Sequence, residues 1–257
     1  MKHLFAIWAV IAFVRPSWAD DKEDLASAIR KLSDARNYSF KGQQKTDLPA
    51  LGAFGAGGGG PQENKYEGQV DAREGTHILT EAQEIVRIGD KTAIRPRGDW
   101  RVLDENPAGG GGRNLGRMMG QLGGLRPPRA PHEELKDLAS KLERASRDGK
   151  KETVGETECD VYSFDLSEDG AKGLFPMGGM MGRLGGGNAD VKFRGKGKGW
   201  VADGLLVKLE TVATLSASFN GNDFDVSTTR TVSIHDVGKT RVEIPEDAKK
   251  AIKAKSE

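Results

Sequence analysis

Between Leu205 and Phe219 the odd positions read Leu205, Val207, Leu209, Thr211, Ala213, Leu215, Ala217 and Phe219, while the even positions are mostly polar. A period of two sustained over such a stretch marks a long strand with one dry and one wet face, because successive side chains of a strand point to opposite sides. Such a strand needs an antiparallel sheet around it and something to cover its dry face. Asn220–Asp223 then turns the chain, and Phe224, Val226, Thr228, Val232 and Ile234 continue the alternation.

The same pattern recurs upstream in shorter pieces. Tyr38 and Phe40 open a strand, and Tyr66–Val70, His77–Thr80, Glu84–Ile88, Thr92–Arg95 and Trp100–Leu103 follow, with Gly89-Asp90 and Arg97-Gly98-Asp99 as turns. Glu152–Glu156, Cys159–Leu166 and a last strand at Arg241–Ile244 complete the set, and Pro245 opens a short terminal helix. Leu25, Ala28, Ile29 and Leu32 share one face of a helix over Glu23–Ala35. Pro131, the stripe Leu135, Leu138 and Leu142, and Gly149 predict a second helix over His132–Asp148. Strands and helices come in runs and do not alternate, which disfavours a parallel βαβ sheet. The expected class is α+β, with a large curved antiparallel sheet covered by two to three helices.

Glycine needs separate explanation. Of the 35 glycines, more than half fall in three blocks, Gly52–Gly60, Gly109–Gly124 and Gly178–Gly187. No three-residue period runs through them, so collagen is excluded, and the rest of the chain has ordinary globular composition. The expected organisation is one domain, 20–257, carrying glycine-rich insertions at 52–60, 109–124 and 178–187. Ahead of it, Met1-Lys2-His3, the apolar Leu4–Val14 and the exit Arg15–Ala19 read as a signal peptide, residues 1–19. That apolar stretch is well short of the ~20 residues that span a bilayer. The mature chain is thus expected to be exported and soluble, periplasmic or extracellular.

Charge is balanced, 39 Lys and Arg against 38 Asp and Glu, which gives no footprint for nucleic acid. Cys159 is the only cysteine, so no internal disulfide forms, and a small strand residue is the simpler reading than a reactive thiol. His77, His132 and His235 share no metal-binding spacing. No HExxH, paired-cysteine or Gly-x-Ser-x-Gly pattern occurs, so no metal, cofactor or catalytic residue is nominated. Gly238-Lys239-Thr240 ends like a phosphate loop but lacks the leading glycine, Ser233 standing in its place. Gly195-Lys196-Gly197-Lys198-Gly199 alternates as a strand. Two readings fit it: glycines that let another element approach closely, or a basic stripe of Arg194, Lys196 and Lys198 for anionic headgroups.

The glycine blocks gather all five internal methionines in or beside them. Met118-Met119-Gly-Gln-Leu-Gly-Gly and Met180-Met181-Gly-Arg-Leu-Gly-Gly are near copies, accompanied by Arg117 and Arg183. Soft methionine beside arginine suits contact with acyl chains or an anionic membrane surface. Surface insertions without a role fit the same residues.

The run Tyr38-Ser-Phe-Lys-Gly-Gln, the stretch Gly199-Trp-Val-Ala-Asp-Gly-Leu-Leu-Val-Lys and the ending Asp236-Val-Gly-Lys-Thr-Arg-Val-Glu-Ile-Pro-Glu-Asp-Ala-Lys resemble the LolA-like superfamily. That group includes periplasmic lipoprotein carriers, the mycobacterial LppX and LprG lipid carriers, and RseB-type envelope-stress regulators. The resemblance implies an unclosed half-barrel with an apolar cavity between sheet and helical lid. It implies a non-enzymatic carrier for lipid or for an acylated protein, with an envelope interaction or regulatory module as the alternative. Partners would be lipid, an acylated protein, a membrane surface or an envelope membrane protein. The lining residues expected on that basis are Leu205, Val207, Leu209, Leu215 and Phe219, with Leu135, Leu138 and Leu142 on the lid; an ordinary dry core fits these same residues.

Overall fold

The computed structural model describes residues 18–47, 61–103, 129–175, 191–219 and 222–255. Residues 1–17, the three glycine blocks and, with them, Met118, Met119, Met180, Met181, Arg117 and Arg183 lie outside the described residues.

Eleven strands form one antiparallel sheet: β1 (Asn37–Asp47), β2 (Pro61–Asp71), β3 (Gly75–Thr80), β4 (Glu84–Ile88), β5 (Lys91–Arg95), β6 (Arg101–Leu103), β7 (Leu142–Val154), β8 (Thr157–Leu166), β9 (Val191–Ala202), β10 (Leu205–Phe219) and β11 (Asn222–His235). Their spatial order is β6-β5-β4-β3-β2-β1-β11-β10-β9-β8-β7. The two edge strands, β6 and β7, do not pair with one another, so the sheet is an unclosed half-barrel. Four helices accompany it among the described residues: α1 (Trp18–Ser33), α2 (Pro131–Lys141), α3 (Glu168–Leu174) and α4 (Glu246–Ala254). The α+β class expected from the order of runs is the class found.

The curl of the sheet rests on paired large and absent side chains. On the concave face of β8, Tyr162, Phe164 and Leu166 lie directly opposite Gly199, Gly197 and Gly195 of β9. A Cβ at Gly197 would sit 2.5 Å from the Phe164 ring and 2.3 Å from the Glu210 carbonyl oxygen. One at Gly199 would sit 2.7 Å from Leu25 Cδ1 of α1, and one at Gly195 would sit 3.0 Å from Ala171 of α3. Of the two readings of that glycine row, close approach by neighbouring elements is what the structure shows. The other half of the sheet repeats the device, with Phe40 opposite Gly68 and Tyr66 opposite Gly42. Its rings lie so close that a Cβ at either glycine would overlap them.

Helix α1 fills the hollow this makes. Leu25, Ala28, Ile29 and Leu32 are fully buried there, with Tyr38, Phe40, Ile78, Ile85 and Ile94 in the same cluster. An isolated helix of this length is marginal in water. Burying each of its leucine and isoleucine side chains supplies about 1.5–3 kcal/mol, and that packing is what fixes the helix. Helix α4 lies elsewhere: Ala248 and Ile252 pack with Val86, Ala93 and Ile244. Val86 alternates with Ile85, which faces the concave core, so α4 covers the convex side of β4 and β5.

Four sequence expectations need correction. The first helix starts at Trp18, ahead of Glu23. The second stops at Lys141, and Leu142–Asp148 belong to β7, where Leu142 pairs with Leu166. Gly149, expected to end that helix, instead has φ +68 inside β7, within a register shift between Arg147 and Lys151. Arg241–Ile244 is not a strand: it joins no ladder, although Ile244 is buried against α4. Cys159 is fully buried on β8 beside Val161 and Trp200, and burial pushes its thiol up.

Candidate functional site

Helix α2 roofs the concave face, and its first turn is held by side chains of the sheet. Its N-cap position is Ala130, which offers no side-chain cap, and Pro131 follows. The missing acceptor comes from β1, where Tyr38 Oη accepts the His132 backbone N–H at 2.9 Å. The same hydroxyl is hydrogen-bonded to His132 Nδ1 at 2.7 Å. Burial raises the Tyr38 pKa well above the usual phenol range. Glu133 and Glu134, acidic residues suited to a helix N-terminus, bind Arg87 of β4 and Arg230 of β11.

Burial also lowers the His132 pKa, with the nearby charges of Glu133 opposing and Arg87 assisting. The unfolded chain takes up this proton near pH 6.5, while the folded chain does so only at lower pH. Stability from this group is therefore fully present above about pH 6.5 and is lost as pH falls below that value. Melting temperatures taken between about pH 7 and pH 5 should decline less steeply in His132→Gln than in the wild type; equal slopes would assign the decline to other groups.

Beneath α2, an apolar pocket of about 30 Å³ is lined by Leu135 and Leu138 of α2, Leu174 of α3, Leu206 and Leu209 of β10, and Val232 and Ile234 of β11. It holds the volume of about one water. Leu138, Leu174, Glu134 and Arg230 also line a larger cleft of about 360 Å³, which opens between α2, α3 and the β1–β2 side of the sheet. Gln44, Asn64 and Tyr66 border that cleft on the sheet side, and Arg129, Lys141 and Phe175 on the helix side. Its size falls in the ~300–1,000 Å³ range of small-molecule sites. A groove of about 570 Å³ on the other side of the molecule has a mixed lining, with Ser39, Gln69, His77 and His235 beside Leu79, Ile244 and Pro245.

Arg230 stands where pocket and cleft meet. Its Nε donates to Tyr66 Oη at 2.7 Å, and its Nη1 binds the Glu134 carboxylate. Its Nη2 is buried and has no hydrogen-bond partner among the described residues. Burial pushes the Tyr66 pKa up, against the pull of the Arg230 charge.

Of the residues expected to line a cavity, Leu135, Leu138 and Leu209 come together in the apolar pocket. Leu142 is buried in the same core but starts β7. Leu205 is half-buried and lines none of these concavities, and Val207 packs with Trp200 and Cys159 on the opposite face. The cause is a bulge between Leu206 and Lys208, which shifts the phase so that Leu206 turns inward beside Leu209. Leu215 belongs to a separate cluster with Ala217 and Val226. Phe219 ends β10, and its side chain lies outside the described residues. Sequence reasoning missed Leu206, Leu174, Tyr66 and Arg230. For Arg230 the signal was present: it occupies the apolar phase of β11, between Thr228 and Val232.

Among the described residues, no group of three or more His, Cys, Asp or Glu is placed to hold a metal ion, and no helix is long and apolar enough to cross a membrane. No family model matches the chain, and no curated protein matches it. Among solved structures, it is similar to the lipoprotein LppX of Mycobacterium tuberculosis, with a TM-score of 0.48 and 9% identity over 88% of this chain and 99% of that one. It is also similar to a DUF1329 family protein from Desulfovibrio piger, with a TM-score of 0.29 and 7% identity over 88% of this chain and 95% of that one.

Proposed function

We propose that this chain is an exported, non-enzymatic binding protein for lipids or for the acyl chains of lipoproteins, held between the concave face of the sheet and helices α2 and α3. The observation that supports this reading is the cleft of about 360 Å³ that narrows onto an apolar pocket. Each methylene buried there would contribute about 0.8 kcal/mol. The inner pocket of about 30 Å³ is too small for an acyl chain. Hydrocarbon therefore enters the cleft first and reaches deeper as α2 moves off the sheet. Met118, Met119, Met180, Met181, Arg117 and Arg183 are assigned as contacts to a membrane surface on their chemistry alone, soft methionine beside arginine.

Mass spectrometry of organic extracts from protein purified out of its native envelope is expected to show co-purifying lipid, and the purified protein to take up a fluorescent fatty acid. Protein that is reproducibly empty and takes up nothing would overturn the reading. Recovery of an envelope membrane protein with lipid-free protein would favour the regulatory alternative.

A further inference from the structure

The geometry points to Arg230 as an oxyanion-binding residue that receives the carboxylate or phosphate headgroup of a bound amphiphile in exchange for Glu134. This rests on the binding reading above and adds the chemistry of the ligand's polar end. A guanidinium is a planar fork that matches an oxyanion with two parallel hydrogen bonds. The fork is half used, with Nη1 on Glu134 and Nη2 without a partner among the described residues, although that nitrogen is buried. Tyr66 holds Nε and thereby fixes the plane of the group. A buried donor left unmade costs more than an average hydrogen bond contributes, so a ligand oxygen reaching Nη2 gains an interaction the free protein lacks.

Glu134 is suited to give way. Its side chain is 26% exposed, against 15% for Arg230, and it lines the cleft through which a ligand would come. Released from Arg230, it can turn to solvent on the first turn of α2. The ligand's hydrocarbon then has Leu138, Leu174 and Phe175 beside it, residues that line the same cleft. Gln83, whose side-chain oxygen is likewise buried and unpartnered, lies on that wall and offers an acceptor to a hydroxyl or amine on the headgroup.

Fluorescence titration with 11-(dansylamino)undecanoic acid and its methyl ester separates head from tail. Wild-type protein should bind the acid about tenfold more tightly than the ester, equivalent to about 1.4 kcal/mol. Glu134→Gln should raise the acid-to-ester affinity ratio several-fold above the wild-type ratio, while Arg230→Gln should bring the acid down to the affinity of the ester. If Arg230→Gln does not fold, the acid-to-ester ratio in Glu134→Gln decides alone. Equal binding of acid and ester in the wild type, with both unmoved by Glu134→Gln, would overturn the headgroup site and leave the lipid reading standing. Failure of both probes to bind would overturn both. Displacement of the acid by acetate or inorganic phosphate, at matched ionic strength and with affinity equal to that of the probe, would also overturn it, since the site would then take free anions.

Discussion

Gly197→Ala should destabilise the protein by about 3 kcal/mol, at the upper end of what overpacking usually costs. The new methyl would meet the Glu210 carbonyl oxygen at 2.3 Å and the Phe164 ring at 2.5 Å. Neither can yield cheaply. The carbonyl belongs to β10, which pairs with β9 along most of its length, and the ring is buried in the core under α1. Gly173→Ala is the matched control, because a Cβ there meets nothing within 4 Å and the residue lies in helix α3. That change should be neutral or stabilising, by up to about 1 kcal/mol. Urea unfolding of both variants, compared at the transition midpoint, provides the measurement. Equal midpoints for the two would remove close packing as the reason for the glycine row.

Tyr38→Ala should be costlier still, at about 3–5 kcal/mol, the range for deleting a buried aromatic side chain. Tyr38 is fully buried between Phe40 and His132 and serves as the N-terminal acceptor of α2. Tyr38→Phe separates the two roles: it keeps the ring and removes the hydroxyl. The His132 N–H and Nδ1 then lose their partner, for which about 1–3 kcal/mol is expected. Because the loss falls on the first turn of α2, hydrogen exchange at His132 and its neighbours should accelerate in Tyr38→Phe well before the sheet is affected. A Tyr38→Phe protein as stable as the wild type, with unchanged exchange in α2, would show that the hydroxyl does not hold the helix.

The sheet and its curvature were legible because their pattern is local. Leu205–Phe219 announces β10 by its period, and the alternate glycines of β9 announce a surface that something else touches. What stayed hidden depends on partners. Leu135, Leu138 and Leu142 fit one helical stripe, yet Leu142 and Ala145 are buried three apart in β7, an edge strand whose outer side meets no other strand among the described residues. That spacing imitates a helix, and only pairing with Leu166 and Phe164 of β8 distinguishes it. Val242 and Ile244 alternate as a strand would, and their packing against α4 satisfies the pattern without a ladder. The bulge after Leu206 moved Val207 to the far face, and no residue type at that point marks the slip. Arg230 differs in kind: a charge in the apolar phase of β11 is visible in the sequence, but its meaning requires Glu134 and Tyr66, which lie far away along the chain.

The strand order has a consequence for how the chain reaches this state. From β1 to β6, and again from β7 to β11, every strand pairs with its neighbour in sequence, and the ladder from Ser39 and His235 to Asp47 and Ser227 alone joins strands from opposite ends of the chain. Within each meander the paired strands follow one another in the chain, so their closures cost less entropy than joining its two ends. Among the described strands the long closure is the β1–β11 seam, and α1, which precedes β1, adds to it by packing across β7 to β10 of the other half. The concave face that forms the candidate site is thus built from both ends of the polypeptide at once, and neither meander carries it alone.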